Sequence, residues 1–162
     1  MPGAAPFGGL ADWIASTAPA QLMRTNAWLY PAVETVHIVG FVLLVGAVAM
    51  FDLRVLGFGR ALPPRALARH LLPWSAGSLL LVVPSGLLLF SAQAAEMAGN
   101  PVFLLKMGLA VLAGLNALAF HLGSWWRSSA TGGPTAAARV HAALSLLFWI
   151  AVIACGRMLA YV

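Results

Sequence analysis

Histidines are the residues of this chain best suited to chemistry, because imidazole binds metals and exchanges protons near neutral pH. The chain has four of them, His37, His70, His121 and His141. His37 follows Glu34 by three residues inside an otherwise uncharged apolar run, so the two share a face of a helix. An ionisable pair in such a run predicts a functional site.

The composition indicates which elements hold these side chains. Of the 162 residues, 62% are hydrophobic and 8% are charged, whereas a water-soluble domain carries about 25% charged residues. Several stretches lack charge over the roughly 20 residues that a membrane-spanning helix needs. The sequence therefore predicts an all-α integral membrane four-helix bundle, a single membrane domain over residues 1–162 with spanning helices at about 27–51, 71–92, 101–123 and 139–160.

Arginines predict how this bundle is oriented. The loop between the second and third helices contains Glu96 and no lysine or arginine. The other two loops hold six arginines, which are Arg54, Arg60, Arg65, Arg69, Arg127 and Arg139. Basic loops face the cytoplasm, so the expected location is the bacterial inner membrane with both termini on the periplasmic side. Topology accounts for the net charge of +5, and no nucleic-acid partner is predicted.

Three further features concern the membrane surface and helix packing. Residues 10–26 are mildly amphipathic and predict a short interfacial helix in the outer headgroup layer. The first spanning helix is expected to end near Phe51, with Asp52 and Arg54 at the cytoplasmic interface. Small residues between Ala110 and Ala117 allow close approach of another helix, which is either a neighbour in the bundle or a second copy in a homo-oligomer.

Three histidines, His70, His121 and His141, fall near the cytoplasmic ends of the second, third and fourth helices. If consecutive helices are neighbours, the second and fourth helices lie diagonally across the bundle, where cofactors are commonly held. His70 and His141 could then bind one haem b iron from opposite sides, with His121 as the alternative ligand. In the competing interpretation, these boundary histidines bond to water or lipid headgroups and bind no cofactor.

A second polar group is expected in the outer half of the bundle, where Glu34, His37, Lys106 and Arg157 occupy one depth band. A lone buried charge is costly, so Glu34 is expected to pair with Lys106 or Arg157. Beside such a pair, His37 could exchange protons with a quinone headgroup or another small polar ligand. The alternative is an ion pair that only fixes the order of the helices.

Sulfur ligands allow a different function. Met107, Cys155 and Met158 lie in the same outer layer as His37, and thioether, thiolate and imidazole together favour copper(I). Copper binding or transport is therefore one alternative, and a non-catalytic membrane subunit is another. The groups needed for a hydrolytic triad are separated by membrane depth, so no hydrolase is predicted.

A family resemblance rests on residues spread over nearly the whole chain from Trp13. They are Trp28, Tyr30, Pro31, Glu34, His37, Gly40, Asp52, Arg54, Gly57, Pro73, Trp74, Ser85, Gly86, Asn100, Pro101, Phe103, Lys106, Trp149, Gly156 and Arg157. In this order they resemble an uncharacterised family of small bacterial inner-membrane proteins, which is similar to the copper-resistance D and b-type cytochrome four-helix proteins. The resemblance implies a four-helix bundle and makes haem b or copper plausible. The predicted function is haem b binding with electron transfer between a quinone and a redox partner protein.

Overall fold

The structure, a computed structural model, describes residues 8–124 and 133–161. Within these ranges the chain forms helices and no strand. In chain order the helices are α1 (Gly8–Ser16), α2 (Ala18–Thr25), α3 (Leu29–Leu56), α4 (Pro64–Ala92), α5 (Ala94–Ala98), α6 (Pro101–Ala119) and α7 (Ala136–Met158). A π-helical turn, Phe120–Ser124, continues α6.

Four of these helices are long and apolar enough to cross a membrane, namely α3, α4, α6 together with its π-helical turn, and α7. The protein is therefore an all-α, multi-pass membrane protein, and this part of the prediction is confirmed. We call the end of the bundle with the α3–α4 connection the basic end, because Arg54, Arg60 and Arg65 lie there. The end where α3 begins and α7 finishes is the terminal end. Arg127 lies outside the described residues.

The first two spanning helices extend further toward the basic end than the charge pattern predicts. Helix α3 continues past Phe51 to Leu56 and ends at Gly57, which adopts a left-handed conformation with φ of 116°. Helix α4 begins at Pro64, whose missing N–H is harmless in a first helical turn. Because α3 continues, Asp52 lies inside the helix and is buried, with 6% of its surface exposed. The helix thus ends at Leu56, five residues beyond the expected end near Phe51.

The spanning helices pack in an open ring. Helix α3 packs along α4 and along α7, and α6 packs along α7. Helices α4 and α6 lack a comparable contact and meet near the terminal end, where the rings of Phe90 and Phe103 stack with centroids 5.4 Å apart. Consecutive helices are thus neighbours except along most of the α4–α6 side. This side of the bundle is open to lipid.

Helix α3 approaches α4 closely at Gly40, which is buried. A Cβ at this position would lie 2.8 Å from Leu81 Cβ and 3.3 Å from the backbone nitrogen of Val82. Only a residue without a side chain allows the two backbones to come this close, which is the common role of glycine between membrane helices.

The amino-terminal helices fold onto the terminal end of the bundle. Helix α2 packs on α4, and α1 packs on α5. Arg24 of α2 donates from Nε to the carbonyl oxygen of Ala92 at 2.8 Å and from a second guanidinium nitrogen to Ala15 at 3.2 Å. Carbonyl groups in the last turn of a helix lack helical donors, so Arg24 completes the end of α4. Residues predicted as one interfacial helix thus form two.

We expect Gly40→Ala to destabilise the protein, because the added methyl group overlaps α4, and overpacking of this kind costs about 1–3 kcal/mol. Gly46→Ala on the same helix is the matched control, since a Cβ there has no neighbour within 4 Å. Thermal unfolding in detergent, followed by circular dichroism, measures the difference. Equal melting temperatures for the two variants would contradict the described α3–α4 contact.

Candidate functional site

His37 on α3 is held by α4. Its Nδ1 lies 3.1 Å from the carbonyl oxygen of Val82 and 3.0 Å from Ser85 Oγ. A carbonyl can only accept, so the Val82 contact requires Nδ1 to carry the proton. In the neutral ring Nε2 then has a free lone pair, and it has no hydrogen-bond partner among the described residues. His37 is therefore fixed in place with one nitrogen available to a ligand.

Helix α4 is shaped locally to receive this ring. Pro84 has no N–H, which removes one helical hydrogen bond and bends the helix. Ser85 Oγ donates to the Leu81 carbonyl oxygen, so its lone pairs face His37. A Cβ on Gly86 would lie 3.0 Å from His37 Cε1 and 3.4 Å from Nδ1. The Pro84-Ser85-Gly86 sequence thus supplies the acceptor and the space.

Lys106 on α6 is the second polar group in this half. The side chain of Asn100 caps α6 by accepting from the backbone N–H groups of Val102 and Phe103, which places Lys106 in the second turn. Its Nζ packs against α7, 3.6 Å from where a Cβ on Gly156 would be. Within the described residues it has neither a hydrogen bond nor an ion pair.

The other two members of the predicted outer group are placed differently. Glu34 is exposed and forms no ion pair with a described residue, although its charge acts on His37. Arg157 is exposed and bonds to the hydroxyl of Tyr161, with its guanidinium carbon 4.8 Å from the centroid of that ring. The expected pairing of Glu34 with Lys106 or Arg157 is therefore not formed. His37 and Lys106 remain as the core of the outer site.

Aromatic rings lie beside His37 in the bundle. Phe41 stacks on His37 with centroids 6.4 Å apart, and Trp149 of α7 meets Phe41 edge to face at 5.8 Å. These rings connect α3 to α7 beside His37. The arrangement offers a flat apolar surface next to a proton acceptor.

The basic half contains a second fixed histidine, His141 on α7. Asn116 on α6 donates from Nδ2 to the backbone oxygen of His141 at 2.9 Å, and its Oδ1 lies 2.7 Å from His141 Nδ1. The first bond orients the amide, so Nδ1 of His141 is the donor in the second. Nε2 again has no partner among the described residues. Metal-binding histidines commonly have their other nitrogen bonded in this way.

His70 and His121 do not join His141. His70 is exposed, two residues beyond the buried Ala68, so it lies away from the packed face of α4. The Nδ1 of His121 bonds to the Ala117 carbonyl of its own helix at 2.8 Å. Haem iron held between His70 and His141 does not fit these positions. Haem b binding stays a prediction from the sequence.

The predicted copper ligands differ in exposure, and copper binding stays a prediction from the sequence. Cys155 is buried, whereas Met107 and Met158 are exposed by 39% and 53%. His37, the fourth residue of the set, turns its Nδ1 to α4. Within the described residues no group of three or more His, Cys, Asp or Glu side chains could hold a metal ion.

Asp52 is the residue that sequence reasoning missed as a site candidate. It is buried near Ser145 of α7, and its Oδ2 has no hydrogen-bond partner among the described residues. The one available signal was the absence of a helix breaker between Phe51 and Gly57, which permits α3 to continue through Asp52.

The fold and these polar groups define a multi-pass, all-α membrane protein with fixed histidines in both halves of the bundle. Comparison of the chain with protein-family models, curated proteins and solved structures finds no match. The resemblance to a four-helix family stays a prediction.

We expect Gly86→Ala to weaken the His37 contacts, because the new methyl group crowds Cε1 at 3.0 Å and forces the ring to shift relative to Val82 and Ser85. The matched control is Gly77→Ala on the same helix, where a Cβ meets nothing within 4 Å. Nitrogen NMR of protein labelled at its four histidines follows the ring directly. Unchanged His37 signals in Gly86→Ala would contradict the described geometry.

Proposed function

We propose that the protein binds the headgroup of a quinol or quinone in the terminal half of the bundle, between His37 and Lys106. The observation that carries the proposal is the pair itself. A fixed proton acceptor on α3 and a cation on α6 both lie in the terminal half of the bundle, and neither has a described protein partner on its free side. Polar groups inside a membrane bundle are costly unless they are satisfied, so a ligand that bonds to both would stabilise the site.

The chemistry of the pair suits a phenolic ligand. Nε2 of His37 can accept a hydrogen bond from a quinol hydroxyl and take up its proton. The Lys106 ammonium can donate to the same oxygen and stabilises negative charge that develops there. Phe41 and Trp149 provide the apolar surface on which a flat ring packs. A hydrophilic ligand would not use the aromatic part of the site.

Access from the membrane also supports a lipid-soluble ligand. Helices α4 and α6 do not pack along most of their length, which leaves a lateral gap in the ring of spanning helices. Near the terminal end this gap closes at the stacked Phe90 and Phe103 rings. A quinone that diffuses in the bilayer can reach His37 and Lys106 laterally, without passing through either aqueous loop region.

Electron transfer through haem b is a separate prediction with its own test. The protein is expressed with added haem precursor and purified, and its optical spectrum is recorded before and after dithionite reduction. Bound haem gives a Soret band that changes on reduction. Absence of the band removes the haem prediction and leaves quinone binding untouched, because the proposed pair contains no iron ligand.

The quinol proposal is tested with protein in lipid nanodiscs and a short-chain benzoquinol. Binding stabilises the folded protein by about 2.7 kcal/mol at 100-fold excess over the dissociation constant, which raises the melting temperature. Lys106→Met removes a hydrogen bond from a charged group worth about 1.5–3 kcal/mol, so affinity is expected to fall roughly 10- to 100-fold. His37→Ala is expected to weaken binding in the same direction.

His70→Ala is the matched control, since it removes an exposed histidine of the basic half. It should bind the quinol like the unaltered protein. No quinol-dependent stabilisation of the unaltered protein, or equal affinity in Lys106→Met, His37→Ala and His70→Ala, would overturn the proposal.

A further inference from the structure

We infer that Asp52 is a proton-binding site in the basic half of the bundle, and that His141 is the group through which its proton exchanges with water. This site is separate from the proposed quinol site. Asp52 and His37 lie 15 residues apart on α3, or about 22 Å along a helix that rises 1.5 Å per residue. Each inference can therefore fail without the other.

The carboxyl of Asp52 is buried in the bundle. The residue is 6% exposed, and its Oδ2 has no hydrogen-bond partner within the described residues. Its neighbours in the core at this end are largely apolar, among them Phe51, Val55 and Ala142. An ionised carboxylate in such surroundings is very costly, whereas a neutral carboxylic acid is much less so. A bound proton neutralises the group.

A metal ion is the competing ligand, and the surroundings of Asp52 disfavour it. A hard cation such as calcium takes six or more oxygen ligands. Ser145 is a polar side chain near the carboxyl, and it is itself buried. No described cluster of three His, Cys, Asp or Glu side chains exists. One carboxyl and one hydroxyl suffice for a proton but not for the coordination shell of such a cation.

His141 lies between this carboxyl and the basic end. It precedes Ser145 by four residues on α7, so the two share a face, and it is one turn nearer the start of the helix. Asn116 fixes its Nδ1 as a donor, which leaves Nε2 as a proton acceptor. His141 is half-buried, whereas Asp52 is buried. An imidazole with one fixed and one free nitrogen at this position is suited to pass protons inward.

Several other charged side chains described near this end bond elsewhere or are exposed. On α3, Arg54 donates to the Leu62 carbonyl at 2.5 Å. On α4, Arg69 and His70 are exposed, as is Arg139 on α7. After α6, His121 bonds within its own helix. Ser145 is the polar side chain that acts on the carboxyl, and His141 is the titratable side chain on the same face of α7.

Infrared difference spectroscopy of the reconstituted protein tests the inference. A protonated carboxyl has a carbonyl stretching band that a carboxylate lacks. This band is expected in the unaltered protein and absent in Asp52→Asn, while Glu34→Gln and Glu96→Gln, which alter exposed carboxylates, retain it. Ser145→Ala identifies the band without removing Asp52, because loss of the hydroxyl partner shifts its frequency.

The role of His141 is measured by the rate at which the carboxyl proton of Asp52 exchanges for deuterium. When the sample is moved into D₂O, the band shifts as deuterium replaces the proton, and His141→Ala is expected to slow this shift by roughly tenfold or more. His70→Ala should leave the rate unchanged. If the band persists in Asp52→Asn and its frequency is unchanged in Ser145→Ala, the proton site is overturned. An unaltered exchange rate in His141→Ala overturns the route.

Discussion

The contact between α3 and α4 at Gly40 determines how polar groups are arranged in this bundle. Because Gly40 lets the backbones approach, His37, almost one turn earlier on α3, reaches the carbonyl of Val82 and the hydroxyl of Ser85. The contact also sets the rotation of α3. With Gly40, Leu44, Ala47 and Phe51 buried on one side, Asp52 is carried into the bundle toward α7. The outer site and the buried carboxyl thus depend on one close helix pair.

Most other polar side chains in the spanning helices are satisfied locally or by a neighbouring helix. Ser78 and Ser85 bond to carbonyl groups of their own helix, and Asn116 uses both ends of its amide on His141. In hydrocarbon an unsatisfied polar group has no water to replace its partner. The unpaired Lys106 ammonium and the Asp52 carboxyl are exceptions to this pattern. The proposed quinol site depends on the first and the inferred proton site on the second.

Much of the fold could be predicted from the sequence, because membrane helices are long, apolar and separated by charge. What the sequence does not contain is the rotation of each helix about its axis. His70 lies two residues from the buried Ala68, yet it is exposed. Glu34 and His37 are separated by three residues, about 60° around a helix, which places them on either side of the boundary between lipid and bundle. Asp52 ends an apolar run, so it resembles an interface residue until α7 is in place.

The bond from Arg24 to the Ala92 carbonyl bears on how the protein is made. The two residues are 68 positions apart, so the amino-terminal segment leaves the ribosome long before its partner exists. The segment stays at the membrane surface and can form this bond only after α3 and α4 have been inserted as a hairpin. Docking of α1 and α2 is thus a late step in biogenesis, and it occurs on the side of the membrane that the amino terminus has already reached.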